Sequence, residues 1–586
     1  MRRVALSVVA AACCLFVTGA IAATAGTAGT AATAATAAGA AAATAAAGAP
    51  DYTALGRIRD EGLHRSQVME IVEHLTDEIG PRLTGSPQMK AANDWTVGKL
   101  KEWGLSNPHL EPWEFGEGWS FSRAEVRMLT PSPAVLLALP KAWTPGTGGP
   151  VTGKAMYVVI EKIEDLDPFR GDLAGKILLI SKTPDAKDPA RSLFERYDSA
   201  KLDDLAAFDI PPEKDANDYR ERGRKRRELW AKLAPALVEE GVLATVEVSP
   251  FDNGLLTVMG GAGQGLPDQP PGVPSLVMAV EPYERILRLL DRNVEVSLTV
   301  DIEAQFYRDS PTSWNTVAEI PGSDKNAEVV MAGAHLDSWH TGTGATDNAA
   351  GSAVVLEAAR ILKTLGLQPK RTIRVALWSG EEQGLLGSRA YVAQHFATRP
   401  DATDKDELAL PARWRKPTWP IEPKPEHARL AAYFNLDNGG GRVHGIYAQE
   451  NLGAKMLFEK FMEPLKDLGV TTVTMENTGS TDHVSFDAVG LPGFQFIQDA
   501  RDYSTRTHHS NIDTYDHLNR EDMMQAAVVM ATFLYEAATL DGPFPRKPMP
   551  VEPPAKAEKK MEKKMEKPSA GEPKDGSAAA VQPPKP

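Results

Sequence analysis

The stretch that decides the fold runs VVMAGAHLDSWHTGTGATDNAAG from Val329 to Gly351, and its companion TIRVALWSGEEQGLLGS runs from Thr372 to Ser388. Val329 to Ala334 is a short apolar run that suits a buried strand, and it ends in His335-Leu336-Asp337. Asp347 follows on a Gly/Thr-rich loop just before a helical run, Ala349 to Leu365, which Gly366 ends. Thr372 to Trp378 reads as a second buried strand and delivers Glu381 and Glu382. Strand, helix and strand in this order make a βαβ unit with the two strands parallel. Their carboxyl ends then share one edge, where ligands bind in open α/β sheets. One histidine and four carboxylates gathered there would repel one another without a cation, and imidazole with carboxylate is a donor set for zinc.

Around this core the 586 residues leave room for two or three domains, and the net charge of −14 argues against a nucleic-acid partner. Residues 1–22 read as a secretory signal: Arg2 and Arg3, an apolar centre, then Ala20-Ile21-Ala22 as the cleavage site. The apolar run is short for a stable membrane span. Secreted or periplasmic localisation is therefore expected. Both cysteines, Cys13 and Cys14, lie in this segment, so a mature chain would have no disulfide. Lipid attachment at Cys13 is the weaker alternative, because Ala10 stands where a lipoprotein signal usually has leucine. Residues 23–50 are an Ala/Thr-rich linker. Residues 543–586, rich in Pro, Lys and Glu, are expected to be a disordered tail.

Residues 51–125 and 305–542 are read as one catalytic domain interrupted by 126–304, where short β-like runs replace the helical patterning. Within the interruption, RERGRKRREL reads as a solvated helix face rather than a nucleic-acid or membrane patch. Leu430 to Leu436 reads as a further strand that ends in Asp437, and Gly493 to Ile497 as another.

The pieces AHLDSW, ATDNAAG, WSGEEQGLLGS, FNLDNGG and HHSNIDT, in this order, resemble the M28 family of di-zinc exopeptidases. The resemblance implies an α/β fold of three layers around a mixed, mainly parallel sheet, the zinc exopeptidase type. GDLAGKILLI is similar to the β-rich protease-associated domain that some members carry as an insertion, here expected to roof the site. The resemblance implies two Zn2+ per chain: Asp347 bridging, His335 and Asp437 completing one ion's ligands, Glu382 and His509 the other's. His509 rather than His508 is implied because the family's histidine stands four residues before an aspartate, here Asp513. Glu381 would be the general base. Asp337 would hold the far ring nitrogen of His335 with its carboxylate. Tyr503 would polarise the scissile carbonyl, and Asp482 and His483 match a segment lining the site, with a structural role equally open.

The activity implied is hydrolysis of short peptides or dipeptides from one end, as carboxypeptidase, dipeptidase or aminopeptidase. Arg442, Arg501 and Arg506 are candidates to hold a free carboxylate. A homodimer stays open. Two other classes compete: a non-catalytic receptor-like binding protein on the same scaffold, which would have lost ligands, and a single-zinc glutaminyl-cyclase-like transferase.

Overall fold

Apolar alternation builds a central sheet whose two faces are both covered. In the strand Val329–His335, Val330, Ala332 and Ala334 pack into one core with the helices Ala350–Thr364 and Arg520–Thr539, while Met331 joins Tyr391, Tyr433 and Phe486 on the opposite face. This is the period of two expected of a strand buried on both sides. The computed structural model describes residues 50–184, 192–207, 217–261, 272–408, 410 and 415–553. The signal, lipid-candidate and linker residues before Pro50 and most of the tail lie outside the described residues.

The central sheet has eight strands in the order Ser106–Glu114, Thr312–Ile320, Thr372–Trp378, Val329–His335, Leu430–Asn435, Gly493–Gln498, Val443–Tyr447 and Thr472–Thr474. From Thr372–Trp378 to Gly493–Gln498 the pairing is parallel, and antiparallel pairs occur toward both edges. The sheet is thus mixed, with its parallel part at the centre. Its register aligns the strand ends. His335 lies opposite Trp378, and Gly333 lies opposite Asn435, so His335 and Asp437 sit at the same level. Gly333 is needed there: a Cβ would come within 2.6 Å of the Tyr433 hydroxyl and 2.8 Å of Trp378 Nε1.

The second eight-stranded sheet lies between two strands of the first in sequence. It runs in the order Ala134–Leu136, Gly118–Thr130, Ser297–Tyr307, Val151–Tyr157, Lys176–Leu179, Ala244–Val248, Ser275–Met278 and Ala138–Pro140. Its first and last members are separated in sequence by Leu137 alone, so the sheet must curl until its edges meet. Val126, Ile177, Val246, Leu276 and Leu298 fill the interior. The sheet starts at Gly118, which pairs with Tyr307, so it is wider than the 126–304 read from the sequence. The alternation that marks a strand is weak there, because Ser120 and Phe121 are both half buried and Ser122 and Arg123 both exposed. The basic run falls on the helix Asn217–Glu239. Leu233 and Leu237 face inward, while Arg224 pairs with Glu221 and Glu228 on the solvent side. Among the described residues no helix is long and apolar enough to cross a membrane.

The expectation of disorder from residue 543 needs correction at the start of that tail, over the described residues 543–553. Phe544 is 2% exposed and packs against Phe458 and Phe494. Asn451 donates to the Pro545 carbonyl at 3.0 Å, and Lys547 pairs with Asp487 at 2.6 Å. One aromatic among prolines carries no periodic signal, yet it can bury as much apolar area as a core residue. Phe544→Ala should therefore cost about 3–5 kcal/mol in urea unfolding; a tail that merely hangs from the domain would show no change.

Candidate functional site

Three adjacent parallel strands deliver the site. The Val329–His335 strand lies between Thr372–Trp378 and Leu430–Asn435, so His335 emerges between the turn carrying Glu381-Glu382 and the turn carrying Asp437. His335 Nε2 is 3.2 Å from Asp347 Oδ1 and 3.5 Å from Asp437 Oδ1. His509 Nε2 is 3.2 Å from Asp347 Oδ2 and 2.9 Å from Glu382 Oε2. The two oxygens of Asp347 therefore face two different groups. His508 is less engaged: its Nε2 is 3.8 Å from Asp347 Oδ2, and its side chain is 47% exposed.

The three distances of 3.2–3.5 Å are close to the spacing of ligands around one metal ion, while the 2.9 Å between His509 and Glu382 is that of a hydrogen bond. Ligands at 2.0–2.2 Å from a tetrahedral ion stand roughly 3.3–3.6 Å from one another. His335 Nε2 and Glu382 Oε1 are buried without any hydrogen-bond partner. His335 donates its Nδ1–H to the Asp337 carbonyl at 3.0 Å, so Nε2 is the ring nitrogen turned toward Asp347 and Asp437. Burial, with Asp347 beside it, pushes the Glu382 carboxyl up to about 7. Burial also holds Glu381 well above the usual range, helped by Asp437, Asp482 and Glu382. So many carboxylates cannot all ionise in a buried space unless cations join them. A cavity of about 10 Å³ among Asp347, Glu382, His509 and Trp339 is the size of a single water or ion.

The structure brings His335, Asp347, Glu382, Asp437 and His509 together, with Glu381 on the same turn as Glu382. It revises other expectations. The ring nitrogen of His335 is held by the backbone carbonyl of Asp337, and the Asp337 carboxylate is 3.6 Å away. That carboxylate instead accepts from Thr84 Oγ1 at 3.0 Å and from the N–H groups of Glu381 and Glu382 at 3.2 and 3.3 Å. Two residues along an extended exit, the carbonyl reaches back to the ring while the side chain points across to the neighbouring turn. Asp482 and His483 are each 0% exposed, so neither meets an open substrate pocket. His483 Nε2–H donates to the Thr478 carbonyl, and burial keeps the ring neutral, with its pKa down at about 4. Asp482 is held at about 7 by burial, next to Asp337 and Asp437. Tyr503 is buried with its ring 4.8 Å from that of His508. Arg442 and Arg501 both turn to Asp522, at 3.4 and 3.3 Å, with Arg501 largely buried and Arg442 39% exposed. Arg506 lies near Asp502 at 3.9 Å with its side chain 44% exposed.

Sequence reasoning passed over three supports. Asp513 accepts from Thr346 N at 2.6 Å, Thr346 Oγ1 at 2.7 Å and Asp347 N at 3.1 Å, and so ties the His509 loop to the Asp347 loop. Arg82 is fully buried and donates to the carbonyls of Leu75, Gly80, Leu336, Thr343 and Gly344. It clamps the segment between His335 and Asp347. Trp339 sets its ring edge-on to His509 at 6.2 Å. The IGPRLTGS run that carries Arg82 and Thr84 was the available signal, but nothing local says that an arginine there is buried.

His340 has a structural place: its Nε2–H donates to the Pro140 carbonyl at 2.7 Å, against Trp119 and Phe121. Burial lowers its pKa to about 4. The unfolded chain takes up this proton near 6.5, the folded chain only near 4. The resulting stability is complete above pH 6.5 and declines as pH falls toward 4, by on the order of 3 kcal/mol. In metal-free protein, His340→Gln should flatten the loss of melting temperature between pH 7 and pH 4.5; an unchanged slope would show that His340 has no part in it.

Comparison with known proteins agrees with this geometry. Residues 315–534 match the model of Peptidase family M28. Carboxypeptidase Q of Bos taurus is 27% identical over 486 residues, 83% of this chain and 88% of that protein. A crystal structure of a Peptidase M28 precursor from Shewanella amazonensis SB2B superposes with a TM-score of 0.58 at 26% identity, covering 85% of this chain and 98% of the other. BSAP, a zinc aminopeptidase from Bacillus subtilis, is 19% identical with a TM-score of 0.50, over 82% of this chain and 98% of its own, and shares the fold. Residues 315–534 are thus a metallopeptidase domain of the M28 type, and the chain is similar to M28 proteins over most of its length.

Proposed function

We propose that this M28 metallopeptidase is an exported exopeptidase that hydrolyses short, unblocked peptides, and that His335, Asp347, Glu382, Asp437 and His509 would hold two zinc ions. The observation that carries the proposal is the divergence of the Asp347 oxygens, Oδ1 toward His335 and Asp437, Oδ2 toward His509 and Glu382. Each group offers one imidazole and carboxylates, a donor set that suits zinc. Bound zinc supplies a Lewis acid and makes water a nucleophile near neutral pH.

The chain's own residues supply the rest. Asp337 grips the backbone of Glu381 and Glu382 and so sets the direction of both side chains. Glu381, with its proton affinity raised by burial among acids, takes a proton from the attacking water and returns it to the leaving amine. Tyr503, buried beside His508, orients the substrate carbonyl. The surplus of carboxylates attracts a cationic α-amino group, whereas Arg442 and Arg501 turn to Asp522. We therefore favour recognition of a free amino end. The inserted sheet is read as a protease-associated-like module, and Met1 to Ala22 as the export signal.

Glu381→Gln should lower kcat by about 10²–10⁴-fold or more, with zinc content unchanged by elemental analysis. Near-normal turnover in this variant rules Glu381 out as the base. Substrate choice is read from a free dipeptide, its N-acetyl form, its C-terminal amide and an internally quenched decapeptide. Acetylation should abolish cleavage. Cleavage of the acetylated peptide at full rate, or internal cutting of the decapeptide, would contradict the proposal.

A further inference from the structure

His509 has φ of +58°, a left-handed backbone that is uncommon for a residue with a side chain, although histidine adopts it more readily than most. Its surroundings come from both sheets. On the catalytic side, Ser510 N donates to Thr507 O at 2.9 Å, and Asp513 is fixed by its bonds to Thr346 and Asp347. On the other side the inserted sheet reaches in. Leu256 N donates to Asn511 Oδ1 at 2.8 Å, Asn511 N donates to Leu256 O at 3.0 Å, and Asn511 Nδ2 donates to Gly254 O at 3.3 Å. Thr257 pairs with Ser510 as an isolated antiparallel bridge.

The reaching loop is itself anchored. Leu256 is fully buried with Val258, Val277 and Ala279, and Ser249 Oγ donates to the Leu255 carbonyl at 2.6 Å. Asn511 thus joins a fixed loop of the insertion to the strained turn that presents a histidine. Its side chain both donates and accepts, and it does so with backbone groups, so the grip fixes position rather than charge. The insertion also reaches the other histidine-bearing segment. Pro140 O accepts from His340, and Trp143 packs edge-on against Trp339 at 6.2 Å between ring centres.

We propose that Asn511 is a positioning residue through which the inserted sheet holds His509 in its ligating orientation, so that the insertion is part of the metal centre and not only a roof over it. The inference rests on the reading that His509 and Glu382 hold one of two ions. A ligand turn in a strained conformation relaxes when one of its restraints is removed, and the imidazole then leaves the narrow range of positions from which it can bind. The other ion, held by His335 and Asp437 at strand ends, has no such dependence. The effect of losing Asn511 is therefore selective for one site.

The test is zinc titration of the metal-free full chain against a chromophoric chelator, for wild type, Asn511→Ala and Asn511→Asp. Folding is checked by near-ultraviolet circular dichroism of the metal-free proteins. Wild type should take up two ions. Asn511→Ala should weaken one of them by about 10–100-fold and leave the other within about threefold, inside the usual spread of such measurements. Asn511→Asp keeps an acceptor for Leu256 N–H and should recover part of the loss; if the alanine variant does not fold, this variant reads the same site with a smaller shift. Unchanged affinities at both sites, or equal weakening of both, would overturn the proposal while leaving the two-ion reading standing. A wild-type chain that takes up fewer than two ions would overturn that reading and this inference with it.

Discussion

The structure depends on the repulsion among carboxylates that the fold forces together. Asp347 stands at its centre, 4% exposed, with a histidine on each side and Glu382 and Asp437 just beyond. Nothing in a three-layer fold needs such a gathering, and in a buried space it costs stability unless positive charge is brought in. The architecture around it answers this constraint. Parallel strands bring the groups to one edge. Arg82 fixes the connecting segment through carbonyls, Asp513 locks Asp347 to the His509 loop, and Asp337 holds the Glu381-Glu382 turn.

How much of this could be read from residues alone depends on how local each signal is. The βαβ unit was legible because two apolar runs and an intervening helix fall within sixty residues, from Val329 to Ser388. The register that levels His335 with Asp437 then comes from pairing of the strands. Which atom of Asp337 meets His335 was not legible, since carbonyl and carboxylate belong to the same residue and only backbone direction separates them. Arg442 and Arg501 looked free because their partner, Asp522, is a distant residue in sequence at the start of the last helix. Phe544 was hidden by its proline-rich neighbours, and the start of the second sheet at Gly118 by side chains whose burial alternates poorly.

The second sheet changes what the catalytic domain can be. Its edges meet at Leu137, its interior is filled, and its root is the pairing of Gly118 with Tyr307. Its working contacts fall on the turns that carry His509 and Trp339. A further strap, Leu193 to Tyr197, pairs Glu195 with Arg501 and sets Arg196 between Asp499 and Asp522. A module that grips both ends of the 499–511 segment constrains the site from outside, in the way that supporting contacts set the geometry of a metal ligand.

The central claim is that Asp347 lies between two metal ions. Anomalous diffraction at the zinc edge, from crystals of the zinc-loaded chain, tests it most directly. Two peaks are expected, one on each side of Asp347, roughly 3.5–4 Å apart, with His335 and Asp437 nearest to one and Glu382 and His509 nearest to the other. A single peak, or a second peak away from Asp347, would contradict it.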